Sequence, residues 1–156
     1  MKAAELVAEL IKYKAVVATA ESCTGGMVAA AITDIAGSSA IFDRAFVTYS
    51  NEAKNEMIGV PTELITAHGA VSEDVARAMA KGALAHSNAT LAVAITGIAG
   101  PSGGSAEKPV GLVHFACASK AGYERHERQV FPGDRAAIRL AARNFALQML
   151  GKALAG

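Results

Sequence analysis

Two stretches of the chain, Ala15-Val16-Val17-Ala18-Thr19-Ala20 and Thr90-Leu91-Ala92-Val93-Ala94-Ile95-Thr96, are apolar at nearly every position rather than at alternate ones. A strand of that kind has no face suited to water. It must be covered on both sides, which places it inside a sheet with helices above and below. Each run ends at small residues and glycines. The first leads into Ala20-Glu21-Ser22-Cys23-Thr24-Gly25-Gly26, the second into Gly97-Ile98-Ala99-Gly100-Pro101-Ser102-Gly103-Gly104-Ser105. Open α/β folds place their sites on such loops, beyond the ends of strands.

The remaining segments fill in the layers. Residues 3–13 carry an apolar stripe of Leu6, Val7, Leu10, Ile11 and Tyr13 at helical spacing. A helix is expected from about Thr24 to Ile35, stopped near Gly37. Residues 44–49 read as a strand, and 51–58 as a short helix closing at Gly59-Val60-Pro61. Residues 62–67 suit one or two helical turns. Ser72, followed by Glu73 and Asp74, opens a helix to about His86. Residues 110–119 and a charge-studded 123–131 read as strands, the second at an edge. A last helix runs from Gly133-Asp134 to about Leu150, with a core stripe of Ile138, Ala141, Phe145 and Met149. Helices alternate with strands early and strands lie side by side late. This order predicts a three-layer α/β/α sandwich around a mixed sheet of about five strands, with residues 1–156 as one domain.

Composition removes several function classes. The net charge is +1 with scattered Lys and Arg, unlike the basic stripe of a nucleic-acid binder. No apolar run approaches the ~20 residues of a membrane span, and the first residues lack a signal-peptide core. Cys23 and Cys117 form neither a disulfide framework nor a metal-spaced pair. The expectation is a cytoplasmic protein with no metal, no cofactor and no nucleic-acid or membrane partner. An Ala-rich surface helix and the edge strand suit a homodimer or higher homo-oligomer.

The first glycine-rich turn offers two readings. Ser22 is a nucleophile with the backbone N–H groups of Thr24, Gly25 and Gly26 as its oxyanion hole, or Ser22 or Thr24 merely caps a helix. A nucleophilic serine needs a base. His68 is the histidine best placed for one, His86 and His126 being expected in solvent and His114 on a strand. No Gly-x-Ser-x-Gly elbow supports a Ser-His-Asp triad. Lys54, in the first turn after the strand ending at Tyr49, is the other option: a base if burial or a helix N-terminus lowers its pKa, a solvated lysine otherwise. The second loop matches neither a Walker A motif nor Gly-x-Gly-x-x-Gly. Its small residues suit backbone contacts to a ligand. Arg135 lies in the first turn of the last helix, where a cation opposes the dipole unless an anion joins it. Arg139 and Arg143 continue its face at i+4 spacing and read as solvent-facing.

Six segments, taken in order and spacing, resemble the CinA C-terminal domain family. They are Ala20–Gly26, Val47-Thr48-Tyr49-Ser50-Asn51-Glu52-Ala53-Lys54, His68-Gly69-Ala70-Val71-Ser72, Thr96-Gly97-Ile98-Ala99-Gly100-Pro101, Lys108-Pro109-Val110-Gly111 and Phe131-Pro132-Gly133-Asp134-Arg135. The resemblance spans nearly the whole chain. It implies a bacterial nicotinamide-nucleotide amidase that turns nicotinamide mononucleotide into nicotinate mononucleotide and ammonia, a step of pyridine-nucleotide salvage. It also implies a Ser–Lys site, with Ser22 as nucleophile, Lys54 as base and Tyr49 beside them to orient the lysine or relay its proton. Thr96, Gly97, Gly100, Gly103 and Gly104 are then expected to hold the nucleotide and Arg135 its phosphate. The domain that precedes this one in longer CinA proteins is not expected here. The competing expectation is a non-catalytic nucleotide-binding or competence/damage-associated interaction domain, which needs no neutral lysine.

Overall fold

The computed structural model describes residues 2–155. Five strands form one mixed sheet in the order β2-β1-β3-β4-β5. They are β1 (Val17–Glu21), β2 (Phe42–Val47), β3 (Leu91–Gly97), β4 (Leu112–Ser119) and β5 (Glu124–Val130). β2, β1 and β3 are parallel, and β4 and β5 add in antiparallel fashion. Both fully apolar runs lie inside the sheet, and charged β5 lies at its edge, as their patterns require.

Alternation along β3 and β4 sends two different faces to two helical layers. Leu91, Val93, Ile95, Val113, Phe115 and Cys117 face one layer. It is built from α1 (Ala3–Lys12), α2 (Met27–Thr33) and α6 (Arg135–Ala155). Ala92, Ala94, Ala116 and Ala118 face the other, built from α3 (Asn51–Ile58), α4 (Thr62–His68) and α5 (Glu73–Ala85). The all-alanine face lets α5 lie close to the sheet through Ala76, Met79, Ala80 and Ala83. Gly82 on the same helix meets α3: a Cβ there would fall 2.1 Å from the Ile58 carbonyl oxygen.

The bounds of α2, β2 and α6 and the buried stripe of α1 differ from the sequence reading. α2 starts at Met27, not Thr24, because Gly25 and Gly26 adopt φ of +56° and +104° and make a turn of their own. β2 covers 42–47 rather than 44–49. α6 continues to Ala155 and buries Ala142, Ala146, Leu147 and Leu150 beside Ile138 and Met149. On α1 the buried stripe is Leu6, Val7 and Leu10; Ile11 and Tyr13 are 47% and 53% exposed, since α6 and α2 cover only one side of that helix.

Candidate active site

β1 delivers Glu21 and Ser22 to the upper edge of the sheet. The Ser22 N–H donates to the Ile95 carbonyl on β3, and the Thr48 N–H donates to the Glu21 carbonyl from the β2 side. Ser22 is therefore held between two neighbouring strands at the level where their helices begin. Lys54 reaches the same point from α3. Ser50 caps that helix by accepting the Ala53 N–H. One turn along, Lys54 is 1% exposed, one of the largest fully buried side chains.

The Lys54 ammonium has three neighbours. Its Nζ lies 2.8 Å from the Thr48 carbonyl oxygen, 3.2 Å from the Tyr49 carbonyl oxygen and 3.3 Å from Ser22 Oγ. Among the described residues no carboxylate bonds to it, and burial pulls its pKa down from 10.5 to about 8 against an opposing effect from Cys23. A neutral amine has two N–H donors and one lone pair. With both donors given to the two carbonyls, the lone pair is left for the hydroxyl proton of Ser22. No histidine bonds to Ser22 among the described residues. His68 instead pairs with Asp74 at 2.9 Å, half exposed.

The turn after Ser22 is organised by a residue that sequence reasoning passed over. Glu21 is fully buried. Its carboxylate accepts from the Thr19 and Thr24 hydroxyls at 3.1 and 2.7 Å and from the Gly26, Val28 and Ala29 N–H groups at 3.2, 2.9 and 3.0 Å. It fills the N-terminus of α2. Two of the three amides expected to receive an oxyanion are thereby spoken for: Gly26 N–H goes to Glu21 and Gly25 N–H to the Ser22 carbonyl. The uncommitted amides are those of Cys23 and Thr24, which have no acceptor among the described residues. An acid placed between a buried strand and a glycine-rich turn is the one signal that could have marked Glu21.

The other expected residues separate into two groups. Arg135, at the start of α6, donates to the Gly100 carbonyl at 2.8 Å and to the Tyr49 phenol at 3.3 Å. So the Tyr49 backbone, not its phenol, meets Lys54, and the exposed phenol stands with Arg135. The expected orienting contact with the lysine is thus made through the Tyr49 backbone. Thr96 is 1% exposed and its hydroxyl donates to the Ala70 carbonyl at 2.9 Å, tying down the 69–72 segment instead of offering a donor to a ligand. Gly97 is pressed against Val113 and the Leu112 carbonyl oxygen, while Gly103 and Gly104 are exposed on the loop.

Two further expectations are corrected. Arg139 does not face solvent; it is half-buried and bonds the Cys23 and Thr24 carbonyls. His126 is not solvated either. Its Nε2 lies 2.8 Å from His114 Nδ1, and burial first, then the charge of His126, holds His114 down near 4. Cys23 beside the serine is buried, and burial pushes its thiol up to about 11, leaving it protonated near neutrality. Thr48 Oγ1 is buried with no partner among the described residues. Those residues contain no group of three His, Cys, Asp or Glu able to hold a metal, and no helix long and apolar enough to cross a membrane.

Comparison with known proteins places the chain in a family. A family model described as the CinA C-terminal domain matches residues 1–154. The chain is 58% identical over 151 residues to the nicotinamide-nucleotide amidohydrolase PncC of Escherichia coli K12, covering 96% of this chain and 92% of that one. It is 52% identical over 149 residues to a CinA-like protein of Geobacter sulfurreducens, covering 95% of this chain but 36% of that longer one. Among solved structures, the competence/damage inducible protein CihA from Agrobacterium tumefaciens superposes with a TM-score of 0.95 at 52% identity, covering 97% of this chain and 92% of the other.

Proposed function

The chain belongs to the CinA C-terminal domain family, and from that premise we propose that it hydrolyses the carboxamide of nicotinamide mononucleotide to nicotinate mononucleotide and ammonia through Ser22 and Lys54. One observation carries the mechanism. A buried lysine with its pKa near 8 has two carbonyls on its N–H donors and a serine hydroxyl 3.3 Å from its nitrogen. With that pKa about a tenth of Lys54 is neutral at pH 7, against less than about 0.1% for an ordinary lysine.

Neutral Lys54 takes the Ser22 proton as Oγ attacks the amide carbon. The carbonyl oxygen becomes an oxyanion and is met by the Cys23 and Thr24 N–H groups, an effect of about 3–4 kcal/mol per donor in comparable sites. The Lys54 ammonium returns its proton to the leaving nitrogen, and ammonia departs. Water then attacks the acyl ester, Lys54 again acting first as base and then as acid.

Tyr49 links this pair to Arg135, with its backbone at the lysine and its phenol at the guanidinium. A substrate with an amide at one end and a phosphate at the other would meet Ser22 with the first and Arg135 with the second. Arg135 uses two of its five N–H donors on Tyr49 and Gly100, so the rest serve the phosphate in the manner of guanidinium–phosphate pairs. Gly100, with its neighbours Gly97, Gly103 and Gly104, shapes the rim of the nucleotide site. Thr96 supports it from beneath through Ala70.

Residues 1–156 act as one amidase domain in the cytoplasm, working as a homodimer or higher homo-oligomer. Ammonia release from nicotinamide mononucleotide by the wild-type chain and by Ser22→Ala tests the proposal. The substitution is expected to lower turnover by at least about a thousandfold. Wild-type activity in Ser22→Ala overturns the assignment of the nucleophile; no activity in the wild type overturns the function.

A further inference from the structure

Resting on Ser22 as the nucleophile, we infer that Arg139 is a positioning residue that orients and polarises the peptide whose N–H receives the oxyanion. Arg139 follows Arg135 by one turn of α6. Its Nε donates to the Cys23 carbonyl at 2.9 Å and one Nη to the Thr24 carbonyl at 3.3 Å. The Cys23 carbonyl and the Thr24 N–H belong to one peptide unit. That unit is trans, the sole cis bond among the described residues being Gly100–Pro101. Its N–H therefore points away from the oxygen that Arg139 holds. A cation on a carbonyl oxygen draws charge from the whole amide and makes its N–H a stronger donor.

Three neighbouring amides are already used, which leaves those of Cys23 and Thr24. Ser22 N–H goes to Ile95, Gly25 N–H to Ser22 and Gly26 N–H to Glu21. The Thr24 N–H is free, two residues from the attacking oxygen, with its carbonyl partner pinned by a positive charge. The ligand fitting that arrangement is a negative oxygen that exists only after attack. Packing points the same way. Gly25 lies so close to the guanidinium that a Cβ there would fall 3.2 Å from an Arg139 Nη. Glu21 and Arg139 thus hold the turn from opposite ends, the acid on its amides and the base on its carbonyls.

A group that acts only on the oxyanion affects kcat and leaves KM alone. Arg139→Lys and Arg139→Gln, assayed beside Ser22→Ala, test the inference. Both are expected to lose roughly 10- to 300-fold in kcat, Gln more than Lys, with KM within about threefold of wild type. The pH at which kcat/KM levels off should stay that of wild type, because Lys54 is untouched. The carboxaldehyde analogue of the substrate supplies the second readout. Ser22 Oγ adds to its carbonyl carbon, the serine proton passes to Lys54, and the carbonyl oxygen becomes an alkoxide. Its affinity is expected to fall in proportion to kcat, while product affinity holds. A kcat within about threefold of wild type overturns the inference, as does a lower kcat with unchanged affinity for the aldehyde. If the Gln variant does not fold, the Lys variant decides on the same criteria. An active Ser22→Ala removes the nucleophile itself; an inactive one beside fully active Arg139 variants removes only the role of Arg139.

Discussion

Glu21 and Lys54 are both buried ionisable side chains beside one serine, and their surroundings differ. Glu21 accepts five hydrogen bonds from hydroxyls and amides. Among the described residues Lys54 has only neutral acceptors and no counter-ion, so burial favours its uncharged form. Glu21→Gln keeps the size but turns an –NH₂ toward groups that are themselves donors. It is expected to destabilise the fold by about 3 kcal/mol, measured by urea unfolding; a loss below about 0.5 kcal/mol would mean the carboxylate is not what holds the turn. Lys54 was legible in the sequence because it follows a strand end by a few residues. Glu21 was not, because the amides that satisfy it converge only once Gly25 and Gly26 have turned the chain.

At the scale of elements, α6 brings two guanidiniums to the site one turn apart. Arg135 was legible as a cation where the helix dipole disfavours one. Arg139, at ordinary i+4 spacing, looked like solvent face, since its partners lie more than a hundred residues away in the chain. The same limit explains α2. Gly25 and Gly26 were read as the start of a helix, whereas the carboxylate of Glu21 occupies its first amides and fixes the start at Met27. Arg135→Ala is expected to weaken binding of nicotinamide mononucleotide by roughly 30-fold or more while changing riboside binding by less than about threefold. Isothermal titration with both ligands checks this; equal losses would place Arg135 outside the phosphate site.

At the scale of the whole molecule, the order of elements and the mixed sheet were legible because two strands had no polar face and one strand was visibly an edge. What periodicity did not reveal is the asymmetry of the layers, with large side chains on the α1/α2/α6 side and alanines under α5. Stability carries the imprint of the site. Lys54 is lower in pKa folded than unfolded, so between about pH 8 and 10.5 the unfolded chain binds more protons and stability rises with pH. The Cys23 and Cys117 thiols, pushed up by burial to about 11 and about 12, act oppositely above about pH 9. Comparing wild type with Lys54→Met isolates the lysine: the stability of the variant relative to wild type should fall by about 1 kcal/mol from pH 7.5 to 9. A constant difference in urea unfolding would mean that Lys54 keeps an ordinary pKa. The same proton governs turnover, because only neutral Lys54 can accept the serine proton. The most direct test is therefore the pH dependence of kcat/KM for ammonia release from nicotinamide mononucleotide. It should rise about tenfold per unit below pH 8 and level off above about pH 8. A rate already level at pH 6, or one still climbing at pH 10, would contradict a Ser22–Lys54 pair as the machinery of this site.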